Sequence, residues 1–151
     1  MTSLEIYNYI LEKLISRYND LSKLRTNNDS LHTRIFLNAT FSYQYSNINV
    51  LLDTEELPIL ECLLPNGNYA LMSTVRIISR FQGIKYELSY RDYLWHDKEL
   101  FAKSLPFSQG KSKVFKYYSK NKQEFFYEVD SFEPADACHN CILYQMRKIY
   151  A

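Results

Sequence analysis

Cys138-His139-Asn140-Cys141 sets two thiols three positions apart with an imidazole between them. Cysteines at that spacing form half of a structural zinc site or a redox pair. A closed zinc site needs four ligands, and the remaining candidates, Cys62, His32 and His96, lack paired spacing. A thioredoxin-like pair opens a helix after a strand, whereas Cys138 and Cys141 fall on the apolar stripe of a C-terminal helix. Two small buried hydrophobes are therefore the preferred reading, with a zinc or redox role as the alternative. Trp95-His96-Asp97 offers a base beside a carboxylate. Neighbours on a strand point to opposite faces, so His96 and Asp97 do not meet, and no nucleophile is in view. His32 falls in a turn region and is expected to be solvated. Ser73, Ser79 and Ser89 lie in strand-like runs without a nucleophile elbow. Gly67, Gly83 and Gly110 read as turn residues rather than a phosphate cradle. No catalytic residue, metal or cofactor is assigned.

Charge and aromatic groups supply the binding candidates. Asp53, Glu55 and Glu56 form an acidic knot, readable as a helix N-terminus or as a surface that meets a basic partner. Lys111, Lys113, Lys116, Lys120 and Lys122 surround a late hairpin, readable as a solvated edge guarded by lysine or as an anion or lipid-headgroup patch. Tyr90, Tyr93 and Trp95 add the aromatic types favoured at binding hot spots.

These residues must be positioned by a chain of 151 residues, the size of one domain over 1–151, with an N-terminal helix and turn over 1–30 and a β-rich core with a C-terminal helix over 34–150. Thr2-x-x-Glu5 reads as a capping box. Leu4, Tyr7, Leu11, Leu14, Tyr18 and Leu21 then form an apolar stripe, widened by Ile10 and Ile15 and ended by the turn-forming 26–30. Alternation over 35–45 predicts a half-buried strand, and 48–52 a short one. Asp53 to Pro58 resembles a helix start, so a helix is expected over 55–64, closed by Pro65-Asn66-Gly67. Strands are expected over 69–73, 75–81 and 84–90, with Gln82-Gly83 turning the last two and 93–95 continuing the sheet. A polar loop over 96–112 includes a helical turn at 98–103. A hairpin over 113–118 and 124–129 follows, with Phe125, Tyr127 and Val129 on one face and Glu128 and Asp130 on the other. The closing helix, 134–149, turns Cys138, Cys141, Ile142, Met146 and Ile149 inward. The fold class is α+β: a long N-terminal helix, a bent antiparallel sheet or split barrel, and a C-terminal closing helix.

The segment from Tyr69 to Asp92 runs apolar strand, Thr74, Arg76, second strand, Gly83 turn, and a third strand leading to an acidic residue. In this it is similar to bacterial pleckstrin-homology-like domains, a resemblance spanning about residues 48–150 with the later hairpin and final helix. That family implies binding to lipids or proteins rather than catalysis. The N-terminal helix and the expected helix at 55–64 are additions to its pattern.

A net charge of +1 lacks the basic excess of nucleic-acid binders, so no nucleic-acid partner is expected. Three cysteines without framework spacing argue against a secreted disulfide scaffold. Without a signal peptide or an apolar run long enough to span a bilayer, the cytoplasm is the expected compartment. The expectation is a non-catalytic protein-binding module, in its specific form a bacterial immunity protein that masks a toxin. Lipid or membrane-surface binding is the alternative.

Overall fold

A computed structural model of the chain describes residues 1–18, 32–36, 52–96, 112–130 and 133–148. Helix α1, Ser3–Tyr18, begins at the expected capping box. The Glu5 N–H donates to Thr2 Oγ1 at 3.2 Å, and the Thr2 N–H donates to Glu5 Oε2 at 2.8 Å. Its buried face is Ile6, Tyr7, Ile10 and Leu14. The expected stripe is thus rotated: Leu4 and Ile15 lie in solvent, and Leu11 and Tyr18 are only partly buried. The helix rests on one narrow contact centred on Tyr7, Ile10 and Leu14, and Ile6 flanks that line where Ile15 was expected to.

Five strands form one antiparallel sheet in the order β1 (Thr33–Ile35), β2 (Pro58–Leu63), β3 (Tyr69–Ser73), β4 (Arg76–Phe81) and β5 (Ile84–Ser89). Strand β2 replaces the helix expected over 55–64. It lies between β1 and β3, and Pro58 through Cys62 are all buried. A strand covered on both faces needs no polar alternation, so its apolar run imitates a helix segment in sequence. Pro58 occupies the first strand position, where the register shifts before Leu60 and its missing N–H is tolerated. Gln82 and Gly83 turn β4 into β5 with φ of 51° and 80°, the left-handed pair that a two-residue hairpin turn requires.

After a 3-10 turn at Tyr90–Asp92, strand β6 (Tyr93–His96) does not continue the first sheet. It opens a second sheet, β6-β7-β8, with β7 at Ser112–Ser119 and β8 at Glu124–Asp130. Helix α2, Glu133–Lys148, carries Cys138, Cys141 and Ile142 inward as expected, with His139 and Gln145 also buried and Met146 partly so. Asp136 of α2 accepts from Arg17 Nε at 3.0 Å and from the Tyr18 hydroxyl at 2.6 Å, tying the two helices. The main core draws on both described helices and every described strand, from Ile10 and Leu60 to Tyr117, Tyr127 and Ile142. The arrangement is α+β with two antiparallel sheets, which among the described residues do not close into a barrel. Leu21, the strand expected beyond Phe36, the short one at 48–52 except for Leu52, which lies outside any strand, the turns at 26–30 and Gly110, the helical turn at 98–103 and Ile149 lie outside the described residues.

Candidate functional site

Helix α2 presses its cysteine turn against the inner face of the second sheet. Cys138 and Cys141 are 1% and 0% exposed. Burial pushes both thiols up, Cys141 to about 12, so neither is a thiolate near neutral pH. Between them His139 stacks on Phe115, with ring centroids 5.7 Å apart, and its Nδ1 is hydrogen-bonded to the Tyr117 hydroxyl at 2.8 Å. Tyr117 is bonded in turn to the Tyr127 hydroxyl at 2.5 Å. His96, bonded through Nδ1 to the Tyr93 hydroxyl at 2.9 Å, meets the His139 ring edge to face at 4.9 Å. Burial first, then the neighbouring His96, pushes His139 down to about 4. Burial also pushes the Tyr117 and Tyr127 hydroxyls well above their ordinary range. The cluster is thus a neutral imidazole among neutral phenols, closed to solvent, and its hydrogen bonds hold helix to sheet.

A second polar cluster escaped the sequence reading. Asp130, 1% exposed, accepts from the His32 backbone N–H at 2.7 Å and the Thr33 hydroxyl at 2.6 Å, and meets His32 Nδ1 at 3.1 Å and Cys62 Sγ at 3.8 Å. His32 is therefore fixed to β8 rather than solvated in a turn. The carboxylate sits between imidazole and thiol, the reverse of a nucleophilic triad, in which the imidazole must bridge. Burial further raises the Cys62 thiol, so the cluster clamps β1 and β2 of one sheet to β8 of the other. No local signal marks it, because its members come from three distant stretches of chain. Among the described residues no group of three or more His, Cys, Asp or Glu side chains is placed to hold a metal ion.

The acidic knot divides. Asp53 and Glu55 are exposed, but Glu56 is buried in the turn before β2. Its carboxylate takes both Nε and Nη2 of Arg76 at 3.0 Å, the Asp53 N–H at 3.0 Å and the Ser73 hydroxyl. Burial alone would raise this carboxyl, and the Arg76 and Ser73 hydrogen bonds outweigh it and hold the group below its ordinary value. Glu56 is thus an internal anchor and leaves the set of contact candidates. Tyr90 leaves it too, fully buried with its hydroxyl donating to the Ser73 carbonyl at 2.7 Å, and so does Tyr93 at 8% exposure. Both turn the hydrophobic side of their rings inward and give the hydroxyl a polar partner, the buried Ser73 carbonyl for Tyr90 and the half-buried His96 ring for Tyr93.

Trp95 is 47% exposed. The register of β6 on β7 shifts between Tyr93 and Trp95, which breaks the in–out alternation and puts both Leu94 and Trp95 in solvent. Trp95 lies flat on its cross-strand partner Tyr118, centroids 4.6 Å apart and planes at 15°. Lys116 Nζ sits over the rings of both Tyr118 and Phe126, at 5.2 and 5.5 Å. Phe126 stacks in turn on Phe81 at 5.5 Å and takes the Tyr86 edge at 5.8 Å. One aromatic strip with a lysine at its middle therefore runs from the edge of the second sheet to the first. Tyr118, Phe126 and Phe81 went unmarked in the sequence, although the even positions of β7 and β8 oppose the buried Phe115, Phe125 and Tyr127.

The lysines are not one patch. Lys113 shares the inward-facing parity of Phe115 and lies over that ring at 5.2 Å, whereas Lys116 faces the outer side and pairs with Glu124 at 3.0 Å. Lys120 and Lys122 are exposed at the β7–β8 turn, and Lys111 and Asp97 lie outside the described residues. No described helix is long and apolar enough to cross a membrane. Set against known proteins, the chain matches no family model, no curated protein and no solved structure.

Proposed function

We propose that this chain is a non-catalytic protein-binding module that meets its partner through the outer face of the second sheet, where Trp95, Tyr118, Lys116 and Phe126 form one strip. The observation that carries the reading is the exposed Trp95 held flat on Tyr118. A half-exposed indole already fixed in orientation loses little freedom on binding, and Trp and Tyr are the types that dominate binding energy. The polar clusters support the same reading from the other side, since His139, Asp130 and Glu56 each spend their hydrogen bonds joining elements. Masking a toxin is the specific form of the role that the small size and aromatic surplus fit. A protein partner is favoured over a membrane surface because Lys113 and Lys116 face opposite sides of β7 and cannot act as one anionic-lipid patch.

The test is capture from a lysate of the native cell with full-length wild type, Trp95→Ala and Tyr118→Ala as parallel baits. A stoichiometric protein is expected on the wild type and is lost from both variants, which keep the wild-type circular dichroism because the replaced rings are surface rings. Capture of nothing stoichiometric, or equal capture by all three baits, counts against the proposal.

A further inference from the structure

Among the described residues strand β5 ends the five-stranded sheet. Its register with β4, closed by the two-residue turn at Gln82-Gly83, makes Phe81 and Ile84 a hydrogen-bonded pair. The Tyr90 N–H donating to the Val75 carbonyl at 3.2 Å keeps the same phase at the other end. The even positions Ile84, Tyr86 and Leu88 therefore bond to β4, and the backbone N–H and C=O groups of Lys85, Glu87 and Ser89 point away from the sheet. An open groove of about 480 Å³ runs along this edge, with Lys85 to Leu88 on one side and Gln123 and Phe126 on the other.

An edge of this kind is a template for another strand, and proteins commonly guard it with charged side chains, lysine above all. Here the guarding residues are Lys85 and Glu87, of opposite sign. Lys85 is exposed and makes no ion pair among the described residues. Glu87 shares the single guanidinium of Arg76 with Glu56, at 2.5 Å from Nη1, so two carboxylates stand against one cation. The geometry points to a second copy of this chain as the occupant, pairing antiparallel along β5 about a two-fold axis at Tyr86. In that register Lys85 of each copy faces Glu87 of the other, twice by symmetry. Both belong to the outward-pointing backbone set, so they form hydrogen-bonded pairs. The second lysine also supplies the cation that the Glu56–Arg76–Glu87 group lacks. On the opposite face, Ile84, 56% exposed, comes opposite Leu88 of the other copy. A register centred on Glu87 would instead set Glu87 against Glu87, and like charges directly opposite are unfavourable.

The pairing edge adjoins the Trp95 strip, sharing Phe126 and Tyr86 with its far end, but its charge pairs lie at Lys85 and Glu87, so the pairing does not depend on Trp95 or Tyr118. The experiment is sedimentation equilibrium of the full chain over a series up to ~1 mM, a range that detects association worth about 4 kcal/mol. Wild type is expected to dimerise. Lys85→Glu, which sets two glutamates against two, weakens the dimer by about tenfold or more. Glu87→Lys does the same, and an equimolar mixture of the two variants dimerises again, because each copy now carries the complement of the other. Circular dichroism of each variant checks the fold, since Glu87→Lys also loses the Arg76 contact. Lys85→Glu changes an exposed, unpaired side chain and tests the pairing without the mixture. A wild type monomeric throughout overturns the pairing and leaves the edge to a strand of another protein. Dimers unaffected by Lys85→Glu, or a mixture of folded variants that stays monomeric, overturn it as well.

Discussion

Glu56 shows how far the identity of a residue stands from its role. Beside Asp53 and Glu55 it looks like part of a solvated acidic knot, yet its side chain is fully buried against an Arg76 that is 14% exposed. Its partner lies twenty residues on, in a strand whose place beside β3 is a tertiary fact. The Thr2–Glu5 capping box, by contrast, was legible because both partners lie within one helical turn. Breaking a buried pair by removing one member leaves an uncompensated charge, while removing both charges can cost little. Arg76→Met is therefore expected to lower the unfolding free energy by about 3 kcal/mol or more, with Glu56→Gln/Arg76→Met recovering part of that loss. Urea unfolding of the single and double variants measures it. A loss for Arg76→Met no larger than about 1 kcal/mol is what an exposed pair gives, and would show that the carboxylate reaches water after all.

Among the elements, those that carry local punctuation could be read. Gly83 with its positive φ announced the β4–β5 turn, and the alternation of Phe125, Tyr127 and Val129 gave the buried face of β8. Strand β2 could not, because Pro58 and the carboxylates before it imitate a helix start and its two buried faces remove the alternation. The joint between α2 and the second sheet carries a pH prediction of its own. His139 faces Phe115 and Tyr117 of β7 and His96 of β6, with Lys113 and Asp136 contributing weaker fields. Its folded value of about 4 lies below the ordinary 6.5, so between those values the unfolded chain binds the extra proton. Stability then falls as pH drops from above 6.5 toward 4, by up to about 3 kcal/mol for a shift of this size. Glu56, also depressed, loses its contribution only at lower pH, and Glu61, which burial raises, contributes a slope of the opposite sign just above its ordinary value, so a fall in stability that begins near pH 6.5 belongs to the helix–sheet joint. His139→Gln, which cannot titrate, is expected to flatten that part of a stability–pH curve taken by denaturant unfolding. An equally steep curve in the variant would mean that another group carries the dependence.

At the scale of the whole molecule, the question is whether the helices and the two sheets open together. Cys62 on β2 and Cys138 and Cys141 on α2 are all free thiols, and all belong to the main core cluster, which takes in residues from every described helix and strand. The Asp130 clamp ties the β2 end of that cluster to β8, while His139 ties α2 to β7. A helix docked on its own would open on its own, with a free energy below that of global unfolding, whereas elements sharing one core and cross-tied by buried hydrogen bonds open as a unit. The three thiols serve as reporters, because burial raises each above its ordinary value and hides it from solvent. Labelling with an excess of a thiol reagent in native buffer is expected to be slow at all three. Modification should proceed at one common rate that rises with denaturant along the slope of global unfolding. With reagent in excess enough that labelling outpaces refolding, the intact mass of partly labelled protein then shows molecules carrying three labels or none, and peptide mapping finds the three sites equally modified. Early, selective labelling of Cys138 and Cys141 would mean that α2 peels away from the sheets by itself, and the cross-ties at Asp130 and His139 would then be too weak to join the molecule into one cooperative unit.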